Sequence, residues 1–236
     1  MIARALPSCL TVGNLFLGIV SIILAFQHSW EYAAIMVIFG MILDGLDGRV
    51  ARMLNTQSEF GKELDSLSDV ISFGVAPAVI MYVSSFQHMG VEGWLVTAIF
   101  PICGALRLAR FNVHPGEPGY FIGLPITAAG GILATMALYH NHVPNVYFLM
   151  VAMLFLSFLM VSQIKYPTVK KVGIPKSAVW MAPLFLIVIA VTAVLYPREL
   201  PKVLFIPLFL YALYGVKKAF DLKREDNSEK AIEEWK

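Results

Sequence analysis

Apolar runs, each about long enough for the ~20 residues an α-helix needs to cross a bilayer, recur along the whole chain and are separated by short linkers rich in polar residues, Gly or Pro. They predict eight helices, at about 11–27, 32–52, 64–85, 94–110, 123–139, 146–164, 179–196 and 201–217. The expected fold is therefore all-α, a polytopic membrane helix bundle. Residues 1–217 form its transmembrane domain, and residues 218–236, where acidic and basic positions alternate, form a cytoplasmic polar tail. There is no internal repeat and no low-complexity stretch.

Composition agrees with that pattern. Of 236 residues, 58% are hydrophobic and 14% charged, against about 25% charged in soluble domains. No separate soluble domain fits, and a net charge of +2 is too small to imply nucleic-acid binding. Cys9 and Cys103 lack metal-type spacing and lie in apolar surroundings, so both read as packing residues. The N-terminal stretch carries Arg4 and no small-residue cleavage signature, so it is expected to be the first span and not a signal peptide. The linkers fall alternately on two sides, and one side collects 16 of the 18 Lys and Arg, leaving only Arg198 and Lys202 on the other. Basic residues are retained on the cytoplasmic face, which predicts cytoplasmic termini and cytoplasmic linkers after helices two, four and six.

Four of the six aspartates fall between positions 44 and 69. A charge at mid-bilayer costs about 3 kcal/mol even on lenient scales, and Arg49, Arg52 and Lys62 offset four carboxylates only in part. A divalent cation would supply the rest. Asp44 and Asp47 are three apart and Asp65 and Asp69 four apart, so each pair shares one face of its helix, beside the small residues Gly48, Ala51, Gly61, Ser68 and Ser72. Hard oxygen ligands with no His or Cys nearby favour Mg²⁺, Mn²⁺ or Ca²⁺ over zinc. Residues 32–43 lie outward of Asp44 and span about 18 Å of a core roughly 30 Å thick, which sets the site in the cytoplasmic third. Without a metal, the alternative is an electrostatic clasp between these aspartates and the arginines.

Asp44, Asp47, Gly48, Ala51, Arg52, Gly61, Asp65 and Asp69 occur with the spacing D-x-x-D-G-x-x-A-R, eight residues, G-x-x-x-D-x-x-x-D. This resembles the signature of the CDP-alcohol phosphatidyltransferase family. Arg107-Leu-Ala-Arg110-Phe-Asn112, Phe121-Ile-Gly-Leu-Pro125 and Ser162-Gln-Ile-Lys-Tyr-Pro167 look like segments of its phosphatidylserine synthase branch. Family members often open with P-N-x-x-T. Here Pro7-Ser8-Cys9-Leu10-Thr11 has Ser8 for the asparagine, while Thr11 remains available. Asn14, one turn on, reads first as a helix-packing hydrogen bond and second as a substitute polar contact.

The resemblance implies a core of six helices, a homodimer in the membrane, the lipid substrate CDP-diacylglycerol, and release of CMP as an alcohol hydroxyl attacks the phosphate on the diacylglycerol. It also implies a cofactor, Mg²⁺ or Mn²⁺, held by Asp44, Asp47 and Asp65, with Asp69 as a fourth ligand or as the catalytic base. Gly48, Ala51, Arg52, Gly61 and Thr11 would form the nucleotide and diphosphate side. The small residues could instead serve close helix packing, and Arg52 could snorkel to headgroups. No Ser, His or Cys stands out as a nucleophile, which favours direct displacement. For the acceptor, resemblance points to L-serine, with Arg107 and Arg110 as partners for its carboxylate, Asn112 for its amine or hydroxyl, and Lys165 as a further cation. Glycerol phosphate and inositol phosphate would also attract arginines. Two other readings are a divalent-cation transporter and a non-catalytic lipid-binding scaffold. Transport would want carboxylates near the midplane, in broken helices and repeated halves.

Overall fold

A computed structural model describes residues 2–113, 120–138, 145–167, 210 and 212–213. Its helices are α1 (Ile2–Phe26), α2 (Trp30–Met53), α3 (Glu59–Asp69), α4 (Ala76–Met81), α5 (Val91–Val113), α6 (Ile126–Met136) and α7 (Val146–Val161). The strands β1 (Tyr120–Ile122) and β2 (Lys165–Pro167) pair antiparallel, Phe121 opposite Tyr166. That ribbon is the one departure from an all-α chain among the described residues. The predicted spans at 179–196 and 201–217 and the polar tail lie outside the described residues, except that Leu210, Ala212 and Leu213 are helical. Among the described residues three stretches, Leu6–Phe26, Glu59–Phe86 and Val91–Val113, are long and apolar enough to cross a membrane, and α6 and α7 are shorter apolar helices.

The helix ends follow local chemistry more than hydropathy. α2 stops where Asn55 adopts φ 50°, a left-handed conformation that asparagine tolerates. α3 starts five residues earlier than hydropathy predicted, because Ser58 caps it by accepting the Gly61 N–H at 3.1 Å. The predicted helix at 123–139 begins only at Ile126. Gly123 sits at φ +78°, and a Cβ there would collide with the Met160 carbonyl, so the chain leaves the ribbon through a turn that only glycine fits.

From Glu59 to Phe86 the chain is one helix interrupted by two π-helical stretches, Val70–Val75 and Tyr82–Phe86. The first has a visible cause. Pro77 has no N–H to give the Phe73 carbonyl and its ring crowds that oxygen, so the ladder shifts and the Ala76 N–H reaches back five residues to Ile71. The displaced Phe73 carbonyl packs against Gly130 of α6, where a Cβ would strike it. Phe73, Ile80, Phe86 and Phe100 are fully buried and join α3–α4, α5 and α6 in one core.

Candidate active site

α1 packs along both α2 and α3, while α2 and α3 scarcely touch each other. The close seam between α1 and the helix that runs on from α3 is made by small residues: a Cβ on Gly18 would lie 2.8 Å from Ser72 Cα. Ser68 and Ser72 donate their hydroxyls to the Thr11 and Asn14 carbonyls, at 3.3 and 3.0 Å. Because α2 and α3 diverge, a cavity of about 530 Å³ opens between them and α1. Gly48, Ala51, Arg52 and Gly61 line it together with Thr11, Asp47 and Asp65. So the small residues of the signature border open space and do not bring α2 and α3 into contact. The Arg52 guanidinium lies over Gly48, its nitrogens 3.6 and 3.8 Å from where a Cβ would be.

Asp44, Asp47 and Asp65 bring one carboxylate oxygen each to within 4.8 Å of one another. Asp47 is held by the Thr11 hydroxyl, which donates to its Oδ2 at 2.7 Å. Asp44 is within hydrogen-bonding reach of Thr127 on α6. Asp65 Oδ1 is buried with no hydrogen-bond partner among the described residues. An orphaned carboxylate oxygen beside two more carboxylates, with no nitrogen or sulfur ligand in the group, fits a hard divalent cation. Asp69 is not in this triad. It lies one turn further along, 7% exposed, where the Asn14 amide approaches its Oδ1 at 3.5 Å and the charge of Arg107 acts on it.

The residues expected to receive the acceptor separate. Arg107 is buried, close to Asp69, with its guanidinium 6.0 Å from the centre of the Phe111 ring. Arg110, expected as a serine ligand, points elsewhere. Its guanidinium donates to the main-chain carbonyls of Val161, Met160 and Ser162 at 2.9, 3.4 and 3.2 Å, closing the C-terminal end of α7. Asn112, expected beside it, makes other contacts: its side-chain amide donates to Ser66 Oγ at 2.9 Å and its main-chain carbonyl accepts from Lys62 Nζ at 3.2 Å, tying α5 to α3. Lys165 belongs to β2 by its backbone, opposite Ile122. Sequence reasoning counted Lys62 only as charge compensation, yet it lines the cavity, and its place between Gly61 and Asp65 was the available signal. Thr127 had no such signal.

The three segments that looked like one branch of the family meet at one corner. Arg110, the Gly123–Leu124 turn and the end of α7 are joined by the arginine and by main-chain bonds from Gly123 to Ile164 and from Leu124 to Leu159, at 2.8 and 3.0 Å. Comparison with known proteins agrees. A CDP-diacylglycerol–serine O-phosphatidyltransferase of Helicobacter pylori is 42% identical over 220 residues, 89% of each chain. One of Bacillus subtilis is 37% identical over 166 residues, 70% of this chain and 92% of the relative. An archaetidylserine synthase of Methanothermobacter thermautotrophicus is 39% identical over 175 residues, 72% of each. The profile of CDP-alcohol phosphatidyltransferases matches residues 4–159, a stretch that holds every aspartate of the site, and the chain belongs to that family.

Proposed function

We propose that this protein transfers a phosphatidyl group from CDP-diacylglycerol to the hydroxyl of L-serine, releasing CMP and forming phosphatidylserine. The observation that carries the reading is the carboxylate triad of Asp44, Asp47 and Asp65, of which Asp47 and Asp65 line a cavity together with the small and basic residues of the family signature. The names of relatives that cover 89% of the chain support serine as the acceptor.

In this reading Asp44, Asp47 and Asp65, with Asp69 beside them, hold Mg²⁺ or Mn²⁺. When bound, the ion neutralises charge on the phosphate oxygens as the phosphoryl group changes partners. The chain's own residues do the rest. Gly48, Ala51 and Gly61 leave room for the cytidine, and Thr11 holds Asp47 at the cavity wall. Arg52 presents its fork to the diphosphate, with Lys62 adding a second positive charge. Asp69 takes the proton from the attacking hydroxyl, and Arg107 beside it meets the serine carboxylate. The hydroxyl oxygen forms a bond to the lipid-side phosphorus as the bond to the CMP oxygen breaks.

The assembly we propose is a homodimer of eight-helix chains. Both termini and the active site face the cytoplasm, residues 1–217 form the membrane domain, and residues 218–236 form the tail. The test is to supply purified protein with CDP-diacylglycerol, Mn²⁺ or Mg²⁺, and serine, glycerol phosphate or inositol phosphate in turn. CMP release coupled to phosphatidylserine formation with serine alone is expected. CMP release with a different acceptor would retain the chemistry and overturn the serine assignment, and no release with any acceptor would overturn both.

A further inference from the structure

Asn14 is fully buried in the middle of α1. Its amide nitrogen approaches Asp69 Oδ1 at 3.5 Å, while its own Oδ1 has no hydrogen-bond partner among the described residues. A side chain present only for packing would not leave a buried polar atom unsatisfied, because that atom lowers stability and an apolar side chain of similar size avoids the cost. Two further features keep the amide where it is. The Asn14 main-chain carbonyl accepts the Ser72 hydroxyl at 3.0 Å, which fixes α1 against the π-helical stretch one turn beyond Asp69. On the other side α2 offers Gly40, where a Cβ would lie 2.8 Å from Asn14 Oδ1. Gly40 thus provides the space into which the amide oxygen is turned, and the nitrogen is left facing Asp69.

From this we infer that Asn14 is a positioning residue for Asp69: it holds one carboxylate oxygen and so leaves the other directed toward the reacting groups. Thr11 does the same for Asp47 one turn earlier on α1, so the first helix sets the orientation of one aspartate from each helix of the signature. The inference rests on the proposed function through the role given there to Asp69.

The double variant N14A with G40A tests it. Removing the amide vacates the space that the methyl introduced on α2 enters, so packing is largely restored and the hydrogen bond is not. The expected result is a loss of about tenfold, in kcat at saturating metal or in the Mn²⁺ dissociation constant measured by electron paramagnetic resonance without substrates, as befits one weak bond to a carboxylate. The KM values for lipid and serine should move by no more than about twofold, since Asn14 touches neither substrate. The inference is overturned if kcat and Mn²⁺ affinity both stay within about twofold of the parent, or if the loss falls only on a substrate KM. Should the double variant fail to purify as a monodisperse protein, N14D keeps the shape and replaces the donor with a carboxylate facing Asp69. It should lose more than N14A with G40A is expected to lose, and parental kcat and Mn²⁺ binding in N14D would overturn the inference equally. D69N measured alongside separates the two levels. A disabled D69N with an intact N14A and G40A variant sinks only the role of Asn14, whereas an intact D69N sinks the role given to Asp69 itself.

Discussion

Arg107→Gln and Arg110→Gln remove the same charge from two positions three residues apart, and the structure assigns them different consequences. Arg107 is 6% exposed and lies beside Asp69, where a serine carboxylate would meet it. A charge-assisted hydrogen bond of that kind is worth roughly 1.5–3 kcal/mol, a factor of about 10 to 150 in affinity. Arg107→Gln should therefore raise the KM for serine by at least about tenfold at saturating CDP-diacylglycerol. Its kcat should fall as well, because the neighbouring buried Asp69 loses its cation. Arg110 donates to three carbonyls at the end of α7, and a glutamine amide can still reach one of them. The expected cost is on the order of 1 kcal/mol in stability, read as a lower melting temperature in detergent, with the serine KM changed by less than about twofold. The assay is CMP release with serine varied at saturating lipid, then with lipid varied at saturating serine. Equal rises in the serine KM for both variants would refute the separation of roles. A rise confined to the lipid KM in Arg107→Gln would move that residue to the diphosphate and leave the serine pocket without its cation.

Asp44→Asn and Asp65→Asn keep shape and remove charge, so each should abolish CMP release while the protein still inserts and purifies, and full activity in excess chelator would contradict the metal assignment. Thr11→Val deletes the 2.7 Å hydrogen bond to Asp47 at nearly constant volume, and should weaken Mn²⁺ binding by about tenfold or more, measured by titration of activity against metal. Gly48→Leu puts a side chain into the cavity against Arg52 and should raise the KM for CDP-diacylglycerol more than that for serine. A cysteine placed at Asn227 should be protected from an impermeant reagent in intact cells, and labelling from outside would overturn the cytoplasmic position of the tail.

The aspartates were readable from sequence because their geometry is local. Ligands at i, i+3 and i, i+4 fall on one helix face whatever the rest of the fold does, and the triad of Asp44, Asp47 and Asp65 needed only that two such faces look toward each other across one gap. The acceptor side depends on distant partners. Arg110 bonds to residues about fifty positions away and Asn112 to Ser66, 46 positions away, so two arginines spaced for one helix face looked alike until the end of α7 was in place. Phe121-Ile-Gly-Leu is as apolar as a helix and as apolar as a strand. Hydropathy starts the helix inside it, at Gly123, and only the pairing of Tyr120–Ile122 with Lys165–Pro167 and the positive φ of Gly123 show that the chain turns there and the helix begins at Ile126.

The role of α1 was hidden for a different reason. An apolar helix with one threonine and one asparagine looks like an ordinary span; resemblance puts Thr11 on the nucleotide side and Asn14 reads first as a helix-packing hydrogen bond, so neither is tied to an aspartate by sequence. Their positions acquire meaning from what lies opposite. Thr11 meets Asp47 of α2 and Asn14 meets Asp69 of α3, while Ser68 and Ser72 return hydrogen bonds to the carbonyls of the same two residues. These contacts hold α1 against both carboxylate-bearing helices while the backbones of α2 and α3 stay apart from each other, and the space between them is the cavity proposed for the nucleotide. A direct α2–α3 contact through Gly48, Ala51 and Gly61 would have closed it. The small residues of the signature can therefore border open space because a third helix, outside the signature, carries the packing.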